Sequence, residues 1–233
     1  KEFDHFLKLA ENENLTFVFS NTTEAGITLD NEDQFTATPA HSFPGKLTQL
    51  LYHRFKTFNG DKSKVLHIIP CELIDKNGTK LKEIILELCE ISKLDNNFIS
   101  WIHLNNFYNT LVDRIVPGFP KKDLNFYKKQ LPFADKLIVT CEPFFLWVIE
   151  GNPKLLEIFP VDQLNNIDVK VVPDLGIYRT RKVRILNGSH TVLVPVGLLH
   201  GTLTVSETLQ DDFLKNYLSQ TLSQEIIPSI DFD

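Results

Sequence analysis

The sequence predicts an α/β fold with a parallel sheet, followed by the start of an all-helical domain. In the first part of the chain, short and almost continuously apolar segments alternate with amphipathic helical patterns. Such segments are typical of strands in a parallel sheet that helices cover on both faces. From residue 178 onward nearly the whole pattern is helical. We therefore expect an α/β domain over residues 1–177 and the beginning of a helical domain over residues 178–233.

Helices and strands alternate from the first residues onward. Apolar residues recur at helical spacing in residues 2–11, 45–58 and 79–92, which predicts three helices. Compact β-rich runs at residues 15–20 and 64–70 predict the two strands between them. This order is expected when parallel strands are joined by crossover helices.

Further elements are predicted after about residue 97, where the alternation becomes looser. They comprise three strands, a short helix between the first two of them, and two longer helices in the helical domain. They cover residues 110–117, 136–141 and 169–173 (strands), 126–131 (short helix), and 179–200 and 214–230 (longer helices). Pro195 removes a backbone hydrogen bond and is expected to bend the first of the longer helices.

The composition is that of a soluble globular protein. The 233 residues carry a formal net charge of −6, with 42% hydrophobic and 23% charged residues. The mild acidity and the lack of a basic stripe argue against nucleic acid as a partner. No apolar run approaches the roughly 20 residues that span a bilayer, and no signal-peptide pattern opens the chain. We therefore expect neither nucleic-acid nor membrane binding.

The three cysteines, Cys71, Cys89 and Cys141, are widely spaced and form no CxxC pair. This pattern predicts neither a zinc site nor a disulfide framework, and a reducing cytoplasm is the expected compartment. No convincing set of metal ligands is found elsewhere. The chain also contains no methionine and begins at Lys1 inside a predicted helix. Both features suggest a piece of a longer protein, or a sequence from which some positions are missing.

Two polar turns follow the first two predicted strands. Ligands of open parallel sheets bind beyond the carboxyl ends of the strands, where residues 20–26 and 70–78 lie. The first turn carries side chains that could hydrogen-bond a ribose or pyrophosphate, namely Asn21, Thr22, Thr23 and Glu24. The residues alone favour an ordinary strand-to-loop turn. Neither GxGxxG nor GxxxxGK[ST] occurs, so the first β-α unit of a dinucleotide-binding fold would lie outside this chain.

The predicted helix 179–200 carries several polar residues in its interior. With about 100° of rotation per residue, Lys182, Asn187 and His190 lie within one wedge of about 140°. Gly188 would let a ligand approach the backbone closely. This set suits the interconversion of an alcohol and a carbonyl, because a desolvated lysine can act as base while an amide and an imidazole hold the oxyanion. A surface lysine, a core histidine and a helix break at Asn187 are the alternative, which the residues alone favour.

Two motifs resemble those of a known family. "KVRILNGSH" (182–190) resembles the K-x4-N-G-[SA]-H signature of the mannitol dehydrogenase family of long-chain polyol and sugar-acid dehydrogenases. "FYNTLVDRIVP" (107–117) is similar to the second signature of that family, which ends in V-D-R-I-x-P. The similarity covers essentially the whole chain, which would be only the middle of such an enzyme. It implies a Rossmann-like dinucleotide-binding domain with extra strands over residues 1–177, and a helical substrate-binding domain from residue 178.

The resemblance also implies an activity and the residues that carry it. An NAD-linked enzyme that interconverts D-tagaturonate and D-altronate in hexuronate breakdown is expected. Lys182 matches the general acid/base of the family, while Asn187, His190 and Asn109 match donors to the reacting oxygen. The turn of residues 21–24 corresponds to a loop on the cofactor side.

Other positions have two interpretations or depart from the family pattern. Asp113 and Arg114 match signature positions, for which an ion pair at a strand end is at least as good an interpretation as substrate contact. Arg179 and Arg181 are candidates to bind a substrate carboxylate, although a basic helix start is more often solvated. Phe145 stands where a more polar residue is expected. The glycine-rich turn, the acidic residue that selects NAD over NADP and the closing C-terminal helices of the family are not in this chain.

Two alternative functions remain open at this point. A sister enzyme of the same family would act on fructuronate or mannitol. A folded but non-catalytic fragment would lack the phosphate-binding turn of the cofactor site. The resemblance implies a small sugar acid as substrate, no metal, and a monomer or weak oligomer.

Overall fold

The computed structural model describes residues 2–165 and 167–230. The chain divides into two compact units, Lys1–Pro173 and Asp174–Asp233, slightly before the boundary predicted after residue 177. Within the described residues, no helix is both long and apolar enough to cross a membrane.

The first unit contains a parallel sheet of three strands in the order β1-β2-β3. These are β1 (Phe17–Ser20), β2 (His67–Pro70) and β3 (Asn106–Phe107). The β1–β2 register runs from Phe17 opposite His67 to Ser20 opposite Pro70. The predicted parallel α/β fold is therefore confirmed, and so are the first two strands. The two residues of β3 are too few to show any periodicity in the sequence.

Four helices of the first unit belong with this sheet. They are α1 (Glu2–Leu9), α2 (Phe43–Thr57), α3 (Asn77–Ile91) and α4 (Asn96–Leu104). The first three were predicted, with ends that differ by a few residues. α4 was not predicted, although Asp95 caps its first turn by accepting a hydrogen bond from Asn97 N at 2.7 Å.

The core of the first unit forms where the apolar faces of α2, α3 and α4 meet. Because these side chains leave water almost completely, each contributes on the order of 1.5–3 kcal/mol to the free energy of folding. The innermost are Leu51, Leu81, Ile85, Phe98 and Ile102.

Arg54 of α2 lies within this core and holds the segment that precedes β1. Its side chain is 1% exposed. The guanidinium donates to the backbone carbonyls of Lys64 (2.7 Å), Ala10 (2.8 Å), Asn12 (2.9 Å) and Leu15 (3.0 Å). Burial lowers the pKa of Arg54 from its ordinary value. Four hydrogen bonds offset much of the cost of desolvating the cation, so Arg54 stabilises the entry to the sheet.

The first unit also contains a mixed sheet in the order β4-β5-β6. Its strands are β4 (Thr110–Asp113), β5 (Leu146–Glu150) and β6 (Asp168–Val172). β4 is antiparallel to β5, and β5 is parallel to β6. The prediction of strands at residues 110–117 and 169–173 is confirmed, but β4 ends four residues early, at Asp113.

The predicted strand at residues 136–141 is wrong. Within the described residues this segment makes one isolated bridge, between Gly118 and Thr140. Leu137 is 84% exposed and Val139 62%, and only Ile138 between them is buried, so burial favours an extended strand there only weakly. The strand partner of β4 is instead β5, a short run whose alternation the sequence did not reveal. Two short helices connect these strands, α5 (Leu124–Gln130), which was predicted, and α6 (Leu155–Ile158).

The second unit is helical, as predicted. Its first long helix consists of α7 (Gly176–Thr180), a π-helical turn (Arg181–Asn187) and α8 (Gly188–His200). α9 (Val205–Gln210) begins with a capping box formed by Thr204 and Glu207. α10 (Asp212–Gln220) continues into a second π-helical turn, Thr221–Ile226. The two long helices predicted here are present, but neither is α-helical throughout.

Candidate active site

Glu72 joins the loops that follow β1 and β2. Its carboxylate is 1% exposed and accepts hydrogen bonds from Ser20 Oγ (3.1 Å), Thr22 N (2.9 Å) and Thr22 Oγ1 (2.8 Å). The two loops leave the carboxyl ends of neighbouring parallel strands, where open sheets bind ligands. Glu72 was not among the predicted site residues, although its position in the second polar turn was a usable signal.

The turn predicted to face a cofactor is tight and presents polar groups outward. Asn21, Thr23 and Glu24 are exposed, whereas the hydroxyl and amide of Thr22 are used by Glu72. Thr23 has a φ of 126°, and a Cβ on Gly26 would lie 1.9 Å from Thr22 Oγ1. Strained backbone of this kind is concentrated at ligand sites. The exposed amide, hydroxyl and carboxylate fit the hydroxyl groups of a ribose.

Asn77, the first residue of α3, is fully buried and joins β2 to β4. Its Nδ2 donates to Pro70 O (3.0 Å) and to Thr110 Oγ1 (3.0 Å). Its Oδ1 accepts from Gly78 N and Thr110 N, both at 2.9 Å. This network fixes the residue that precedes Thr110 beside the carboxyl end of β2.

Asn109 is the residue that precedes Thr110, and hydrogen bonds hold its side-chain amide from both sides. The Oδ1 atom accepts from Thr79 N (2.9 Å) and Thr79 Oγ1 (3.2 Å), while Nδ2 donates to Glu150 Oε2 at 2.7 Å. Since donors face the oxygen and a carboxylate faces the nitrogen, the orientation of the amide follows from its partners. The second N–H of Nδ2 is the donor that a substrate oxygen could use.

Asp113 and Arg114 lie at the opposite end of β4 from Asn109, roughly 13 Å and 17 Å away at about 3.3 Å per residue. Arg114 Nε donates to Glu142 O at 3.1 Å, and the guanidinium carbon lies 5.5 Å from the centre of the Phe145 ring. Phe145 therefore gives Arg114 an aromatic face in place of the expected polar residue. These contacts favour the interpretation that Arg114 holds the strand end.

Two cysteines of the first unit are poor nucleophiles. Burial raises the pKa of Cys71, which follows β2, to about 11, and that of Cys89 to about 12. The thiolate is the reactive form of cysteine, so both side chains remain unreactive thiols near neutral pH. The edge of the sheet thus offers hydrogen-bonding groups rather than a thiol nucleophile.

In the second unit, the π-helical turn determines how the predicted catalytic residues lie. Hydrogen bonds in a π-helix join residues five apart, as the bond from Gly188 N to Val183 O shows. Lys182 and Asn187 are five apart, so they lie on the same side of the turn. Asn187 and His190 are three apart and are neighbours on the helix surface. The predicted uniform α-helical rotation is wrong here. The wider turn reduces the angle between Lys182 and Asn187 around the helix axis, so that the three residues lie nearer to one side of the helix.

The polar residues after the π-helical turn hydrogen-bond the carbonyls of that turn. Ser189 Oγ donates to Ile185 O, and Thr191 Oγ1 donates to Asn187 O at 3.1 Å. His190 Nδ1 lies 3.3 Å from Leu186 O. Side chains of this type compensate carbonyls where a helix departs from α geometry. The polar sequence therefore supports the wide turn rather than breaking the helix.

The contact of His190 also indicates its tautomer. A carbonyl oxygen only accepts, so Nδ1 carries the proton that faces Leu186 O. In the neutral ring Nε2 is then an acceptor, and it becomes a donor when the ring is protonated. His190 is exposed, Lys182 is half-buried and Asn187 is exposed. The imidazole can therefore bind either a substrate hydroxyl or a substrate oxyanion.

A groove of about 410 Å³ lies beside this helix in the second unit. This volume is in the range of small-molecule sites, about 300–1,000 Å³. Lys182 and His190 are not part of its wall. The two arginines predicted to bind a substrate carboxylate also lie outside its wall. The guanidinium carbon of Arg181 is 5.9 Å from the centre of the Tyr178 ring, and Arg179 is exposed. The residues lining the groove include Arg184, Asn187, Gly188, Thr191 and Ser229. Arg184, which was not among the predicted site residues, is thus the arginine beside Asn187 in the groove wall.

The fold and these groups define a class of protein: one unit has a parallel sheet with polar groups at its carboxyl edge, and the other is helical and carries Lys182, Asn187 and His190 on its first long helix. The family model for the mannitol dehydrogenase Rossmann domain matches residues 1–158, and that for the mannitol dehydrogenase C-terminal domain matches residues 174–233. The chain belongs to the mannitol dehydrogenase family, which confirms the resemblance of the two motifs.

Curated proteins that are similar to this chain include altronate oxidoreductases. Altronate oxidoreductase of Bacteroides thetaiotaomicron is 47% identical over 97% of this chain and 47% of its own length. Altronate oxidoreductase of Bacillus subtilis is 43% identical, also over 97% of this chain and 47% of its own length. The chain spans about half the length of the curated relatives it matches.

Solved structures share the fold. A D-sorbitol dehydrogenase in substrate-free form superposes with a TM-score of 0.80 at 22% identity, over 99% of this chain and 48% of that chain. Pseudomonas fluorescens mannitol 2-dehydrogenase, in a ternary complex with NAD and D-mannitol, gives a TM-score of 0.69 at 21% identity, over 98% and 47%. At this identity the structures support the fold alone.

Proposed function

We propose that the protein carrying this chain is an NAD-dependent oxidoreductase that reversibly reduces D-tagaturonate to D-altronate in hexuronate breakdown. The observation that carries the proposal is the π-helical turn, which brings Lys182 and Asn187 to one side of the helix next to His190. The 47% identity to proteins named altronate oxidoreductase supports the substrate. The match of residues 1–158 to the mannitol dehydrogenase Rossmann domain supports a dinucleotide cofactor.

In the reducing direction NADH, when bound, would supply the hydride that the carbonyl carbon of the substrate takes up. Lys182 gives a proton to the carbonyl oxygen, and Asn187 donates a hydrogen bond to that oxygen as negative charge develops. His190 binds an oxygen of the substrate through Nε2. Arg184, which lines the groove beside Asn187, is a cation that the substrate carboxylate could meet. The proposed reaction uses no metal.

The cofactor is proposed to bind at the carboxyl edge of the parallel sheet. Asn21, Thr23 and Glu24 would contact it, and Glu24 is suited to accept hydrogen bonds from ribose hydroxyls. Thr22 would shape the turn, because its donors are already used by Glu72. A cytoplasmic location is also proposed. The support for it is that the three cysteines are free thiols.

A substrate panel tests the proposed function. The intact protein is assayed for NADH oxidation with tagaturonate, fructuronate, fructose and fructose 6-phosphate. We expect kcat/KM for tagaturonate to exceed that for each other compound by at least about tenfold. A site that hydrogen-bonds the polar groups of its substrate binds the transition state of an analogue less tightly, by more than about 1.4 kcal/mol. Preference for fructuronate or fructose would overturn the substrate, and no turnover with any compound would overturn the activity.

A further inference from the structure

Asn109 and Glu150 are joined by two hydrogen bonds at the start of the β4–β5 pair. The backbone N–H of Glu150 donates to Asn109 O at 2.8 Å, and Asn109 Nδ2 donates to Glu150 Oε2 at 2.7 Å. Glu150 is the last residue of β5, whose backbone is fixed on the other side by its pairing with β6. The carboxylate is therefore presented from a rigid strand end.

The other side of the Asn109 amide is fixed by α3. Helices need acceptors for the N–H groups of their first turn, and Lys76, which precedes α3, makes no side-chain cap. Asn77 caps Gly78 N, and Asn109 caps Thr79 N from a different part of the chain. The Thr79 hydroxyl adds a second donor to Asn109 Oδ1. Rotating the amide by half a turn would therefore break three hydrogen bonds. It would place the amide nitrogen beside the Thr79 N–H and the amide oxygen beside the Glu150 carboxylate.

We infer that Glu150 is a positioning residue for the proposed reaction: with Thr79 it holds the Asn109 amide in one orientation, so that the second N–H of Nδ2 keeps a fixed direction as a hydrogen-bond donor. The inference rests on the proposed function and on the family motif, in which Asn109 matches a donor to the reacting oxygen. Hydrogen bonds accepted at Oδ1 polarise the amide and strengthen its N–H groups as donors. Glu150 restrains the nitrogen end, so the donor needs no reorganisation during catalysis.

The test is a double-mutant cycle in the intact protein with tagaturonate and NADH. We expect Asn109→Ala to lower kcat/KM by about 100-fold or more, as for loss of an oxyanion donor. Glu150→Ala is expected to lower it by about 10- to 100-fold through misplacement of the amide. The double variant should match Asn109→Ala within about twofold, because Glu150 acts through Asn109.

Conservative variants separate positioning from a structural role. Glu150→Gln keeps an oxygen that accepts from Nδ2, so it should recover most of the activity that Glu150→Ala loses. Glu157→Ala removes an exposed carboxylate of the same unit and should leave kcat and KM unchanged. Thermal unfolding and the Kd for NADH are measured for each variant. If Glu150→Ala does not fold, Thr79→Val, which removes only the hydroxyl donor to Oδ1, enters the same cycle.

The outcomes distinguish the inference from the proposed function. Additive losses in the double variant, or a Glu150→Gln variant as impaired as Glu150→Ala, would overturn the positioning role while the reaction stands. Near-normal turnover of Asn109→Ala would overturn the assignment of Asn109 and the inference with it. A wild-type protein without turnover of any sugar acid would overturn both the function and the inference.

Discussion

Lys182 is the residue whose substitution tests the proposed chemistry most directly. Lys182→Ala removes the proton donor to the carbonyl oxygen, and we expect kcat to fall by at least about 100-fold, as for other general acids. The Kd for NADH should remain within about twofold, because the proposed cofactor residues lie in residues 21–24. Lys215→Ala, an exposed lysine of α10, is the matched control. Turnover near that of the wild type would contradict the assignment of Lys182.

At the scale of single residues, the sequence supplied the proposed catalytic groups but not the groups that hold them. Spacing alone placed Lys182, Asn187 and His190 in one wedge of the helix, and the resemblance of two short motifs to a known family selected them together with Asn109. Glu150 lies 41 residues from Asn109 in sequence, and Glu72 lies 50 from Thr22. Such pairs are created by strand pairing, which a single sequence does not reveal. The roles of all these residues remain predictions.

At the scale of elements, two glycines make a matched pair for a stability test. A Cβ on Gly78, at the start of α3, would lie 2.2 Å from the Tyr108 carbonyl oxygen, whereas one on Gly188 would lie 3.7 Å from Val183 O. Gly78→Ala should therefore lower the free energy of unfolding by about 1–3 kcal/mol or more. Gly188→Ala should leave it unchanged or raise it by up to about 1 kcal/mol, because alanine favours helices.

Chemical denaturation of the two glycine variants provides the comparison. Equal stabilities would show that the chain near Tyr108 can move away from α3, contrary to the tight packing described. Gly188→Ala also has a kinetic readout, because a methyl group beside Asn187 should raise KM for the sugar acid if the substrate approaches the backbone there.

Elements with a strong period were predicted well, and elements defined by pairing were not. α2 and α3 repeat their apolar residues over fifteen residues each, enough to establish the helical period. β5 has five residues and was missed, while the apolar run at 136–141 was taken for a strand although Leu137 is exposed. Apolar character alone does not decide between a paired strand and an exposed loop.

At the scale of the whole molecule, His67 should make the stability of the protein depend on pH. It lies in β2 with Nδ1 2.7 Å from Tyr108 Oη, and burial lowers its pKa below the ordinary value of 6.5. The unfolded chain therefore takes up a proton before the folded one does. The stabilising contribution is present above about pH 6.5 and is lost as pH falls through the folded pKa.

Urea denaturation at pH 7.5 and pH 5.5 measures this contribution. The wild type should lose more stability between the two values than His67→Gln, which keeps a partner for the Tyr108 hydroxyl without a titrating ring. His103→Gln, at an exposed histidine of α4, should retain the full pH dependence of the wild type. An identical decrease in all three proteins would exclude His67 as its source.

The π-helical turn at Arg181–Asn187 gives this helix one residue more than a regular α-helix with the same number of turns. A turn closed by bonds between residues five apart contains one residue more than the α-helical turn it replaces. Deleting a single residue between Lys182 and Asn187 would let the chain run on as a regular α-helix, with every proposed catalytic side chain still present. Lys182 and Asn187 would then be four residues apart, about 40° from each other on one face of the helix. Deleting a residue between Asn187 and His190 would instead leave those two side chains two residues apart, about 160° from each other. A change of length within the wide turn therefore preserves the arrangement, whereas one immediately after it does not.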